Sequence, residues 1–163
     1  MGHSITALIV AEQFDEAAAT EWDVAGTPIG QGLRLIHINA AYAAYQQHQR
    51  GAGTILGAPD DFDSRFPREG VLADLAAAVT TRTPPTFALI MTDYFGGEGR
   101  QWATAWIDGG RVPEVRDING ALQVLGVHAT KGMDEFDTVG LSRHRSTPDA
   151  LERYWDLCDD LGI

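Results

Sequence analysis

The chain has 163 residues, 44 % of them hydrophobic, with 23 acidic against 12 basic side chains and a formal net charge of −11 at pH 7. That length supports one hydrophobic core, and therefore a single globular domain over residues 1–163. So large a negative charge opposes binding to nucleic-acid phosphates and to anionic membranes, so neither is an expected partner, whereas a basic protein is attracted at long range.

Cys158 is the single cysteine, which excludes an internal disulfide framework and any zinc cluster built on cysteine. A reducing, cytoplasmic setting fits. No stretch resembles a signal peptide or the roughly 20-residue apolar span that a bilayer requires.

Ile5 to Val10 is a short apolar run rich in β-branched residues, which reads as a strand buried on both faces. Glu12 to Trp22 is acidic and alanine-rich and reads as a short helix or ordered loop. Gly26, Pro28, Gly30 and Gly32 mark a turn region before a second strand at Leu33 to Ile38. Asn39 is placed to cap a helix in which Tyr42 and Tyr45 lie one turn apart, with Gly51 and Gly53 as its stop. Ala58 to Gly70 combines prolines and acids as a loop. Val71, Leu72, Leu75, Ala76 and Val79 then form a helical stripe, ended by Pro84 and Pro85.

Thr86 to Met91 is the predicted central strand, joined by a long glycine-rich turn to a partner strand at Trp102 to Ile107. Asp108-Gly109-Gly110 signals a second turn, and Pro113 confines any strand near it to an edge. Asp117 opens a helix with Ile118, Ala121, Leu122 and Leu125 on one face and Gly126 at its close. An acidic loop follows at Asp134, Glu135 and Asp137. A last helix opens at Thr147-Pro148, with an apolar stripe of Leu151, Tyr154, Trp155, Cys158 and Leu161. Strands and helices mix without strict βαβ alternation, which predicts an α+β fold with a mixed or mainly antiparallel sheet flanked by helices.

The turn from Asp93 to Arg100 is the leading candidate surface. Its glycines permit close backbone approach while Asp93, Tyr94, Phe95, Glu98 and Arg100 supply charge, hydrogen bonding and aromatic area. It lacks the P-loop spacing, and Glu98 opposes an anion. Asp60, Asp61 and Asp63 read as a solvated acidic loop, or equally as an electrostatic landing surface for a basic protein, rather than as a calcium loop, because Arg65 falls where another acid belongs. His3, His37, His128 and His144 show no HExxH or HxH spacing, so neither a metal centre nor a cofactor is expected. His37, between Ile36 and Ile38, reads as a half-buried histidine with one hydrogen bond. Cys158 reads as structural, since Asp159 and Asp160 beside it raise the thiol pKa instead of activating it. No GxSxG elbow is present. Arg143, His144 and Arg145 offer a weaker anion clamp ahead of the last helix.

A small, acidic, cytoplasmic chain without a catalytic constellation resembles in general character the bacterial immunity proteins that neutralise a toxin by binding it. Such a protein would engage a basic toxin or enzyme through its acidic loops, with Tyr94 and Phe95 as aromatic anchors. One alternative is a small enzyme or ligand-binding domain built on the glycine-rich turn, with Asp93 as base and Arg100 or Arg143 clamping an anion. Another is a homo-oligomer whose tryptophans pack across a subunit interface.

Overall fold

The apolar run at the start of the chain becomes β1 (Thr6–Ala11), in the middle of a sheet, in a computed structural model that describes residues 2–11 and 13–163. After it come α1 (Glu16–Glu21), β2 (Thr27–Ile29), β3 (Leu33–Ile38), α2 (Ala40–Gln49) and α3 (Val71–Thr80). The long hairpin of β4 (Phe87–Phe95) and β5 (Glu98–Ile107) precedes β6 (Gly110–Arg111), α4 (Ile118–Val124), α5 (Glu135–Thr138) and α6 (Arg153–Leu161). The six strands lie in the order β2-β3-β1-β4-β5-β6, and every neighbouring pair is antiparallel. The fold is α+β, a single compact domain.

Helices cover both faces of the sheet, which is why β1 reads as a continuous apolar run instead of alternating. Leu8, Val10, Leu89, Met91 and Trp106 face a core completed by α2, α3 and α6. Ala7, Ile9, Ala88, Ile90 and Ala103 face a second core, closed by α4 and by Val139 and Leu141. Two caps fix the helices to this frame. Asn39 Oδ1 accepts the Tyr42 N–H at 2.7 Å while its Nδ2 donates to the Leu151 carbonyl at 2.9 Å, so one side chain starts α2 and holds the lead-in to α6. Asp117 caps α4 by accepting the Gly120 N–H at 2.7 Å.

The structure departs from the sequence expectation in four places. Thr27–Ile29, within the segment read as a turn, forms an edge strand, where a proline at position 28 is tolerated because the outer ladder has no partner. The acidic segment at residues 134–137 is no loop, because Asp134 caps α5 by accepting the Asp137 N–H. Of the stripe expected for the last helix only Leu151, in a 3₁₀ turn ahead of α6, and Tyr154 and Cys158 within it are buried, leaving Trp155 and Leu161 49 % and 41 % exposed, since neighbouring helical residues sit about 100° apart around the axis. The hairpin turn, finally, is far shorter than expected.

Trp22, Trp102 and Trp106 are buried within the chain's own core, so Trp155 alone among the tryptophans offers substantial surface to a neighbour. Among the described residues no helix is long and apolar enough to cross a membrane.

Leu89 lies fully buried in β4, opposite Leu8 on one side and Thr104 on the other. Leu89→Ala is expected to lower the unfolding free energy by about 3 kcal/mol, read as a fall in the urea midpoint at unchanged m-value.

Candidate functional site

The glycine-rich segment is a two-residue turn between long strands, not an extended loop. Gly96 and Gly97 both take positive φ, +62° and +83°, as the type I′ turn of a tight hairpin requires. Asp93, Tyr94 and Phe95 are therefore strand residues, paired with Arg100, Gly99 and Glu98. Alternation along a strand then sends Tyr94 to one face of the hairpin and Asp93 and Phe95 to the other. Tyr94 and Phe95 do not form one aromatic anchor pair.

On the Phe95 face the structure brings together Asp63, Asp93, Phe95, Glu98 and Arg100 around an open concavity of about 500 Å³, with Arg65 and Trp102 in its lining. Phe95 is 82 % exposed. Arg65 holds this surface together: its Nε donates to Asp63 Oδ1 at 2.9 Å and its Nη2 to Asp93 Oδ2 at 3.0 Å. Hydrogen bonding from Arg65 holds the Asp63 carboxyl down at about 2. Asp61 is likewise gripped by Arg116 Nη2, at 2.8 and 2.7 Å, and its pKa is lowered chiefly by that bond. Of the three loop aspartates only Asp60 has no basic partner among the described residues. The landing surface expected from sequence is thus largely neutralised from within.

On the opposite face Tyr94 lies against Gly99, whose missing Cβ would sit 2.7 Å from the Tyr94 ring and 2.3 Å from the Asp93 carbonyl. Its hydroxyl accepts from Gln101 Nε2 at 3.1 Å, and Gln101 Oε1 accepts the Ile118 N–H at 2.8 Å. Beside it is a cleft of about 420 Å³ lined by Gly2, His3, Tyr94, Gln101, Phe136 and Arg145, with Asp134 and Ser142 at its side. His3 Nε2 lies 2.9 Å from the Leu141 carbonyl, so that nitrogen carries a proton. Its Nδ1 is 2.8 Å from Thr92 Oγ1, which also accepts the Ile5 N–H at 3.0 Å.

No protein-family model, curated protein or solved structure matches this chain.

Arg143, His144 and Arg145 do not act as one clamp. Arg143 lies exposed at the end of a 3₁₀ turn (Leu141–Arg143), the His144 ring turns toward His37 with centroids 6.2 Å apart, and Arg145 lines the cleft beside Tyr94. His37 is half-buried, as its strand position predicts, but Nδ1 has no hydrogen-bond partner among the described residues. His128 sits apart, its backbone N–H and carbonyl bonded to the Gln31 side chain. Among the described residues no group of three His, Cys, Asp or Glu side chains is arranged to hold a metal. Cys158 is buried, with Sγ 3.3 Å from the Ala41 carbonyl, and burial followed by the Asp159 charge pushes its thiol pKa up.

Sequence reading for motifs passed over the outer face of the last helix. Glu152, Asp156, Asp159 and Asp160 are exposed, and none pairs with a basic side chain among the described residues. The helix's one cation, Arg153, is turned to Asp23, which also accepts from the Tyr154 hydroxyl. Trp155 lies on the margin of this acidic stripe. Its signal was present in the sequence as acids at i, i+4 and i+8, residues 152, 156 and 160, with no intervening lysine.

Burial, then the nearby His144 and His3, lowers the His37 pKa below 6.5, and burial also lowers that of His144. The unfolded chain therefore binds more protons than the folded one below about pH 6.5. Stability from these groups is fully present above that pH and is lost as pH falls toward and through the folded values. The urea midpoint measured from about pH 7 to about pH 5 is expected to fall less steeply for His37→Gln than for the parent.

Proposed function

We propose that this protein binds a basic protein partner in the cytoplasm, in the manner of an immunity protein or stoichiometric inhibitor, through the outer face of α6. The observation that carries the reading is an electrostatic conflict within that helix. Glu152, Asp156 and Asp160 repel one another at i,i+4 spacing, and Asp159 and Asp160 lie in the last turn, where the helix dipole disfavours acids and no basic residue is present. The dipole favours Glu152 and Asp156 at the start of the helix, but among the described residues no basic side chain pairs with any of these acids. A surface that works against its own helix is expected where function demands it, and a cationic partner removes the repulsion on binding.

Trp155 supplies the apolar element of the same face. An exposed indole beside a rim of unpaired carboxylates matches the division of labour at protein interfaces, where aromatic anchors carry affinity and charges steer encounter. Phe95 at the hairpin tip is the competing anchor, but of the acids around it Asp63 and Asp93 are committed to Arg65, which leaves only Glu98 without a basic partner among the described residues.

The test is binding of the product of an adjacent toxin-like gene, followed by surface plasmon resonance across salt concentrations. Trp155→Ala is expected to weaken affinity about ten-fold or more, and Asp156→Lys with Asp159→Lys to slow association and flatten its salt dependence. Undiminished binding by these variants, with loss on Phe95→Ala, moves the interface to the hairpin; absence of any basic partner removes the reading. In the free protein, Asp159→Asn with Asp160→Asn is expected to raise the urea midpoint, because it relieves the repulsion and the dipole conflict.

A further inference from the structure

The cleft between the Tyr94 face of the hairpin and the segment Leu141–Arg145 is separate from the α6 stripe. We infer that it is a binding site for a small monocarboxylate with a planar, apolar body. Its volume of about 420 Å³ falls within the range of small-molecule pockets. The inference rests on which polar groups in it are already satisfied and which are left to serve a ligand.

Gln101 is spent at both ends, on the Ile118 N–H and the Tyr94 hydroxyl. Because the tyrosine oxygen accepts that bond, its own proton remains to be donated. His3 has both nitrogens engaged and no proton to offer the cleft. Arg145 Nε donates to the Ser142 carbonyl at 3.2 Å, which orients the guanidinium and leaves its Nη donors without partners among the described residues. The Ser142 hydroxyl is also unengaged among those residues. Each uncommitted group thus has a donor to offer, one of them cationic, and together they suit an anion's oxygens.

The walls decide the rest of the ligand. Tyr94 and Phe136 present ring surface, and Phe136 is itself held against His3 with ring centroids 5.3 Å apart. Such walls select a flat apolar body. Asp134, the cleft's carboxylate, accepts from Asp137 N–H at 2.9 Å and Asn119 Nδ2 at 3.2 Å and keeps its charge, which penalises a dianion more than a monoanion. One arginine and one carboxylate in the same lining favour a monoanion over phosphate. The frame is fixed before binding, since the Arg145 carbonyl accepts the Ser4 N–H at 2.8 Å and the His3 backbone exchanges hydrogen bonds with Tyr94 at 3.0 and 2.9 Å. That pre-ordering lowers the entropic cost of capture.

The experiment is an amide-resonance titration of the full chain with benzoate as probe, with benzamide as the neutral isostere and inorganic phosphate as the anion lacking a flat body. Benzoate is expected to give saturable shifts at Tyr94, Gln101, Ser142 and Arg145. Benzamide and phosphate are each expected to bind about ten-fold more weakly or not at all. Arg145→Gln is expected to weaken benzoate about ten-fold or more, and Tyr94→Phe, which removes only the hydroxyl, by a few-fold, with unchanged urea midpoints showing that both variants remain folded. Absence of saturable shifts at these four residues, equal binding of benzamide or phosphate, or full retention of benzoate binding by Arg145→Gln overturns the proposal.

Discussion

The register of the β4–β5 hairpin is the constraint on which the surface of this protein depends. Gly96 and Gly97 supply two successive positive-φ residues, and so permit a turn of the minimum length that pairs Phe95 with Glu98. From that pairing follows every inward and outward assignment along both strands. Leu89, Met91, Trp102 and Trp106 reach one core, Ala88, Ile90 and Ala103 the other, and the polar tips continue the same alternation beyond the edge of the packed region. A slip of one residue exchanges the two faces, placing Tyr94 among the arginine-bound aspartates and Asp93 in the aromatic cleft.

Charge is distributed by a second principle, the scarcity of cations. With 12 basic residues against 23 acidic, every arginine that closes an ion pair decides which acids stay bare. Arg65, Arg82 and Arg116 are drawn to Asp63 and Asp93, Asp108, and Asp61, so the loops around the hairpin are partly compensated. These exposed pairs add little stability individually. Their larger effect is to settle which acids stay bare, among them those on the outer face of α6, where Arg153 is turned away to Asp23.

Much of the architecture was legible in the sequence because its determinants are local. β1, β3, α2, α3 and α4 appear where apolar periodicity and the caps Asn39 and Asp117 place them, and the α+β class follows from their order. The edge strand at Thr27–Ile29 was obscured because three residues flanked by glycine, with a proline at the centre, carry turn chemistry, and only pairing to β3 makes them a strand. The candidate surfaces were legible as residues but not as groupings. Tyr94 and Phe95 are adjacent in sequence and opposed in space, whereas Tyr94 and Arg145 are distant in sequence and share a cleft. Ion pairing between Asp61 and Arg116 spans 55 positions, so no local pattern announced that an acidic loop would be neutralised.

Gly99 gives exposure an unusual meaning. It is solvent-exposed, yet a single added carbon would meet the Asp93 carbonyl and the Tyr94 ring well inside van der Waals contact. Mutational tolerance at the hairpin should therefore run against solvent accessibility. The two turn glycines, where an added Cβ would meet nothing within 4 Å, have room for asparagine or aspartate in a left-handed backbone, while position 99 should reject every side chain as a core position would. In a saturation library the tip of the hairpin would vary and the residue two places beyond it would stay glycine, marking from the pattern of survivors alone where the tyrosine lies.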